Sequence, residues 1–274
     1  MNHKVGLSLL VSALLIVSVI ALAKPNTAAS SAAVAIPERA IEVAPGVFSL
    51  GAAVMDGRQV NGFMIVDYRK GFGHKPGHNP PGGGGDGGSR STCYAFLAKG
   101  AKWKAVEPWL VNAGNTEGLG SSFVFNTLTD SIQKWEDASS ADILGNGNIT
   151  AETLVADTAS PDGRNEVYFG DVGSPGAIAV TIIWGIFAGP PNQRELIEWD
   201  QIYDQADFNW SDSGEADSMD FENIATHELG HSAGMDHPGS TCTEETMYAF
   251  AEEGETKKRT LNSGDIAGIT GLYS

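Results

Sequence analysis

The 274 residues carry 34 Asp and Glu against 17 Lys and Arg, a formal net charge of −17. Neutralising phosphates takes basic patches, so this balance excludes nucleic acid as a partner. Beyond one apolar run at the amino terminus, no stretch approaches the roughly 20 residues that a membrane span requires.

That first run sets the expected compartment. Lys4 precedes an uncharged stretch from Val5 to Ala23 that ends in Ala21-Leu22-Ala23, an A-x-A cleavage pattern. Residues 1–23 therefore read as a signal peptide and the protein as secreted. The runner-up is an uncleaved anchor holding it at the outer face of the membrane, since the run is just long enough to span. Residues 24–37 are rich in Ala and Ser and are expected to be disordered. Val47–Val54 and Val60–Tyr68 alternate as strands about Asp56-Gly57, which predicts a hairpin. Residues 24–70 are thus assigned to a propeptide or small amino-terminal hairpin element. Residues 71–92 include FGHKPGHNPPGGGGDGGSR, a composition that predicts a flexible linker. Its glycine run lacks the Lys-Ser/Thr of a phosphate loop. His74 and His78 are four apart, but the Pro and Gly between them forbid the helix that would align them.

From Cys93 on, strands and helices alternate. Trp109–Val111, Glu166–Phe169, Ala177–Ile183 and Glu195–Tyr203 read as strands. Ser121–Ala138 places Val124, Leu128, Ile132 and Trp135 on one helical face. Met219–Ala233 is expected to be a helix capped by Ser218 or Asp220. A last helix begins at Asn262, with Asp265 in capping-box spacing.

The chemistry is concentrated in HELGHSAGMDH, His227 to His237. His227 and His231 sit one helical turn apart and can grip one ion. Glu228 is rotated by about 100° from His227, where a general base for an activated water belongs. On a continued helix His237 would lie roughly 9 Å beyond His231, too far for a bond of about 2 Å. Gly234 can supply the left-handed turn that brings it back. Three imidazoles and a water make an open, catalytic zinc site, His227, His231 and His237 being the ligands. Only six histidines occur, so one zinc is expected and a second, structural one is rejected.

These motifs resemble those of the metzincin zinc metalloproteases, and within them the matrixin branch. Met247, ten residues past His237 in the run Thr246-Met247-Tyr248, stands where the Met-turn belongs. Leu261–Tyr273 is similar to the closing matrixin helix, and Lys102-Trp103 resembles the start of a catalytic domain. The resemblance covers about Cys93 to Ser274, assigned as a catalytic domain of residues 93–274. It implies an α/β (α+β), zincin-like fold: a twisted mixed sheet backed by two long helices, with a small carboxy-terminal subdomain below the zinc cleft. It also implies that Ala177, Ile178 and Ala179 belong to the edge strand that pairs with substrate, that Tyr248 and Phe250 wall the pocket beyond the scissile bond, and that Met247 packs beneath the imidazoles. Structural calcium is a candidate, with Ser160–Glu166 and Gly170–Gly176 as acidic, carbonyl-rich turns.

The matrixin latency motif P-R-C-G is absent; only Arg90-Ser-Thr-Cys93 stands nearby. Cys93 and Cys242 are the sole cysteines, and in an exported protein they are expected to form a disulfide. The rival reading makes Cys93 a latency thiolate on zinc, leaving Cys242 unpaired. The expected function is that of a secreted, monomeric zinc endopeptidase acting on protein or peptide substrates, with Glu228 as general base. The alternative is a non-catalytic binding module that keeps zinc for stability.

Overall fold

Asp56 and Gly57 both adopt positive φ, 50° and 73°, as the two central residues of a tight hairpin turn require. The computed structural model describes Met1, residues 32–73 and residues 92–274; the signal segment and the His74/His78 pair lie outside them. The amino-terminal part forms β1 (Ile41–Ala44), β2 (Val47–Met55) and β3 (Arg58–Arg69). Next come β4 (Ala95–Phe96), β5 (Trp109–Asn112), α1 (Ser121–Ser139), β6 (Gly147–Ile149), β7 (Asn165–Gly170), β8 (Ala177–Ile186) and β9 (Glu195–Asp204). The chain closes with β10 (Trp210–Ser211), β11 (Met219–Asp220), α2 (Phe221–Ser232), β12 (Met235–Asp236), β13 (Phe250–Ala251) and α3 (Ser263–Tyr273).

The main sheet has nine strands, ordered β1-β2-β3-β8-β9-β7-β5-β6, with β13 added alongside β3. Strands β9, β7, β5 and β6 run parallel, whereas β8 is antiparallel to β9 and β3 is antiparallel to β8. This is the expected mixed α/β sheet backed by helices. One difference is large: Ala177–Ile183 is not a sheet edge. β3 pairs with it from Asn61↔Gly185 to Tyr68↔Ala177, so the hairpin extends the sheet instead of standing apart from it. The physical reason is apolar. Val60, Met64 and Val66 are buried on one face of β3 and Ile65 on the other, so the hairpin has two faces to cover and only the large sheet to cover them with.

The expectation of disorder across residues 24–37 also fails at its end. Val34 is buried, donates its amide to Asp171 O at 2.8 Å and accepts from Gly173 N at 2.9 Å. Its side chain finds an apolar seat beside Val172 and Ala177, which repays the ordering.

Helix α1 buries Val124, Leu128, Ile132 and Trp135, the face its spacing predicted. Each such side chain is worth roughly 1.5–3 kcal/mol of transfer free energy. They pack on α2 and the sheet, and the Trp135 indole donates to Thr226 O at 2.9 Å, one residue before His227. Helix α2 begins two residues later than expected, because Met219 and Asp220 pair with Trp210 and Ser211 in a short parallel bridge. Asp220, not Ser218, is the cap; its carboxylate accepts from Asn223 N at 2.9 Å.

Cys93 and Cys242 are joined in a disulfide that spans 149 residues of sequence and ties β4's approach to the loop after His237. Neither sulfur is left as a thiol. Cys93→Ser is expected to lower stability by about 2–4 kcal/mol, the loop entropy returned to the unfolded chain, without switching on any activity. Thermal unfolding with thiol titration checks this; activation of the intact chain by the substitution would revive the latency thiolate.

Candidate metal centre

Helix α2 ends where Gly234 takes φ +102°, a conformation only glycine adopts cheaply. A side chain there would also strike Ala101 O at 2.9 Å. The reversal lets β12 carry His237 back over α2. The three Nε2 atoms converge: His227 to His237 is 3.2 Å and His231 to His237 is 3.1 Å. A tetrahedral ion with bonds of 2.0–2.1 Å would set its ligands about 3.3 Å apart, so the triad matches zinc.

Two of the rings are held from behind. His227 Nδ1 lies 2.5 Å from Thr246 O and His231 Nδ1 lies 3.0 Å from Met235 O. An Nδ1–H donated to each carbonyl fixes the tautomer and leaves Nε2 free for the ion. Burial, reinforced by the nearby Lys258 ammonium, pushes His227 down to about 3, so the ring is neutral as a ligand must be. Lys258 is itself buried behind His227, donates to Tyr248 O and is pushed down to about 8 by that burial.

Met247 is fully buried. Its sulfur fills the space above Gly230, where a Cβ would come within 2.2 Å of Sδ and 2.6 Å of Trp135. The Met-turn is fastened by Asp265, whose carboxylate accepts from Thr246 N at 2.7 Å, Met247 N at 3.1 Å and Asn262 N at 2.9 Å. Spacing identifies Asp265 as a helix cap; its hold on residues 246 and 247 depends on where α3 docks, which spacing does not carry.

Glu228 is buried, and its Oε2 accepts from Thr181 Oγ1 at 2.5 Å. Its Oε1 has no hydrogen-bond partner. Burial pushes this carboxyl well above the usual range, and the neighbouring Asp67 carboxylate adds to the effect. Thr181 was not singled out by sequence, because a threonine within a branched apolar strand carries no signal of its own.

Asp67, on β3, is the residue sequence reasoning missed altogether. Its Oδ1 lies 2.8 Å from His237 Nε2 and 3.1 Å from His227 Nε2; Oδ2 lies 3.5 Å from His231 Nε2. It is 5% exposed, and Oδ2 accepts no hydrogen bond. The readable signal was one carboxylate among FMIVDYR, at the alternation position that follows Phe63 and Ile65 toward the helices. A buried carboxylate with one oxygen unpartnered, beside three imidazoles, fits a cation.

Tyr248 and Phe250 lie side by side, ring centroids 5.9 Å apart, on the segment that lines β3. Ala177, Ile178 and Ala179 are fully buried, Ala177 and Ala179 lying opposite Tyr68 and Asp67.

Sequence comparison now bears on this geometry. The matrixin family profile matches residues 187–274, from the end of β8 through the histidines and the Met-turn to α3. This segment is matrixin-like. It is 38% identical over 74 residues to matrilysin of Rattus norvegicus, covering 27% of this chain and 26% of that protein. It is 39% identical over 75 residues to metalloendoproteinase 2-MMP of Arabidopsis thaliana, covering 25% of this chain and 19% of that one. The chain thus spans about a quarter or less of these relatives, and Asp67 and β3 lie outside the matrixin-like segment.

Among the described residues one further cluster could hold a cation: Asp157, Glu198 and Asp200. Asp157 Oδ2 and Glu198 Oε1 are buried without hydrogen-bond partners. Of the two turns expected to favour calcium, Ser160–Glu166 borders this cluster through Gly163 N, which donates to Glu198. Gly170–Gly176 contributes no residue to it.

Proposed function

We propose that the protein is a zinc-dependent endopeptidase, secreted on the strength of its amino-terminal segment and acting as a monomer on extended protein or peptide segments. The observation that carries this reading is the convergence of the three Nε2 atoms with Glu228 beside them, in a segment that resembles matrixins. His227, His231 and His237 would hold the ion. Bound zinc would supply Lewis acidity, polarising a carbonyl and acidifying water. Glu228, with an unpartnered oxygen, would take the proton of the attacking water and deliver it to the leaving nitrogen. Thr181 holds the other oxygen and so fixes the direction of that transfer. Backbone groups of β8 and β13 would pair with the substrate strand.

The non-catalytic alternative draws on Asp67, which offers the ion a fourth protein group and a closed site. Because β3 lines β8, digestion of casein or gelatin is tested with intact and with briefly trypsin-treated protein, each with and without chelator. Chelator-sensitive cleavage supports the peptidase; none in either form leaves the binding module. Metal analysis is expected to give one tightly held zinc per chain, since only one histidine cluster exists among the described residues.

Calcium is proposed for Asp157, Glu198 and Asp200, a hard-oxygen set. Burial and then the Asp157 charge push Glu198 up to about 8, and burial pushes Asp200 well above its usual value. A carboxyl raised in the folded state binds protons that the unfolded chain releases above its ordinary pKa near 4.5. Without calcium, stability is therefore expected to fall as pH rises from about 4.5 to about 8. Calcium should raise the melting temperature more at pH 8 than at pH 5. Equal shifts at both would remove calcium from this cluster.

A further inference from the structure

Three features of β3 bear on the proposed peptidase without being needed for it. First, the Asp67 carboxylate stands among all three ring nitrogens, 2.8 to 3.5 Å away. Second, the pairing of β3 with β8 breaks register between Asp67 and Tyr68, which lie opposite Ala179 and Ala177. A bulge of this kind re-aims a side chain, and it falls at the residue that meets the histidines. Third, β3 is held between two walls. It runs antiparallel to β8 along its length and parallel to β13, with Tyr68 opposite Phe250 and Arg69 opposite Ala251. An extended peptide entering this cleft would pair chiefly with β8, whose hydrogen bonds β3 already satisfies; β13 meets β3 only at Tyr68 and Arg69, and β2 pairs with the rest of that edge.

The fit is shaped and not generic. Gly62 lies under the Trp184 indole, where a Cβ would come within 2.7 Å of the ring. At the other end Arg69 pairs with Glu253 at 3.0 Å and Lys70 with Glu252 at 3.2 Å, partly exposed contacts that hold little on their own. Strand pairing, the buried Val60, Met64, Ile65 and Val66, and Asp67 therefore do most of the holding.

We infer that Asp67 is a fourth, inhibitory ligand to the metal and that β3 occupies the substrate's place in the cleft, so that the intact chain is latent. This rests on the peptidase reading above for its consequence, though not for its geometry. A carboxylate is a competent zinc ligand, and with the three imidazoles it would give the ion four protein ligands. An ion so held would have no position left for the water that Glu228 is to deprotonate. The disulfide uses Cys93 elsewhere, so latency by a thiolate is not available to this chain.

The test uses the full chain loaded with zinc, or with cobalt(II) for visible absorption, titrated with acetohydroxamate, a small chelating ligand that needs only the ion and not the groove. If the ion is open in about 1% of wild-type molecules, the apparent affinity is reduced roughly 100-fold relative to Asp67→Ala. Asp67→Asn, which keeps the shape and lowers the ligand strength, guards against a misfolded Ala variant and should show the same direction. The cobalt spectrum of the wild type should be unmoved by acetohydroxamate at concentrations that shift both variants. Equal affinity and equal spectra in wild type and variants would overturn the inference. Peptide cleavage is read separately in the Gly62→Val, Asp67→Ala double variant, which also loosens β3 from Trp184. Hydroxamate binding gained without cleavage keeps the ligand assignment and sinks the peptidase. Cleavage by the intact wild type at the rate of the double variant sinks latency and keeps the peptidase.

Discussion

Glu228→Gln is expected to lower peptide hydrolysis by about 10²- to 10⁴-fold, the usual worth of a positioned general base, while one zinc per chain is retained. The measurement belongs on protein whose cleft has been freed of β3, by trypsin treatment or by the double variant, since a rate already suppressed by Asp67 cannot report the base. Gln has the size of Glu, so no cavity opens, and its amide oxygen can still accept from Thr181 Oγ1, which now lies 2.5 Å from Oε2. What is lost is the proton acceptor at Oε1, the atom without a partner. The ligands His227, His231 and His237 keep their carbonyl supports at Thr246 and Met235 where these exist, so zinc affinity should change little. A metal-loaded Gln variant that cleaves at the parent rate would remove Glu228 from the mechanism. Thr181→Val should fall between, slowing turnover roughly 10-fold by freeing the carboxylate to rotate, a loss near the low end for a mispositioned group.

The histidine motif was legible because its spacing carries its own geometry. Residues four apart share a helix face, and Gly234 had to reverse the chain for His237 to arrive, as its φ of +102° confirms. The hairpin was legible for the same local reason, through Asp56-Gly57. What could not be read was where the hairpin docks. Strand pairing between β3 and β8 joins residues more than a hundred positions apart, and an alternating apolar strand fits any open edge equally well by sequence. Asp67 was therefore invisible as a ligand, although a lone carboxylate on the inward row of an apolar strand is costly unless something meets it. Ala177–Ala179 were expected on a free sheet edge, and β3 pairs along that edge instead. The late start of α2 is a smaller case: Met219 and Asp220 suit a helix by periodicity, but pairing with Trp210 and Ser211 competes and takes them.

Asp265→Ala is expected to be among the most damaging single changes outside the ligands. One carboxylate accepts three backbone amides, from Thr246, Met247 and Asn262, and it is fully buried. Removing it orphans three donors, each costing about 1–3 kcal/mol when water cannot reach it. Partial relaxation reduces the sum, so a loss of about 3–5 kcal/mol is expected, read as a melting temperature lower by on the order of 10 °C. The consequence does not stop at stability. Thr246 O is the carbonyl that orients His227, and Met247 is the side chain beneath Gly230 in the ligand helix. A loosened Met-turn should therefore weaken zinc binding by about 10- to 100-fold, the usual effect of losing a group that orients a ligand. Glu245→Ala separates the two effects. Its carboxylate accepts from Gly264 N at 2.9 Å and Asp265 N at 3.1 Å, fastening the start of α3 without touching the Met-turn amides. That variant should melt earlier yet keep its zinc affinity. If both variants lose zinc equally, the Met-turn is held by the packing of α3 as a whole; if neither does, Thr246 O does not govern the ligand field of His227.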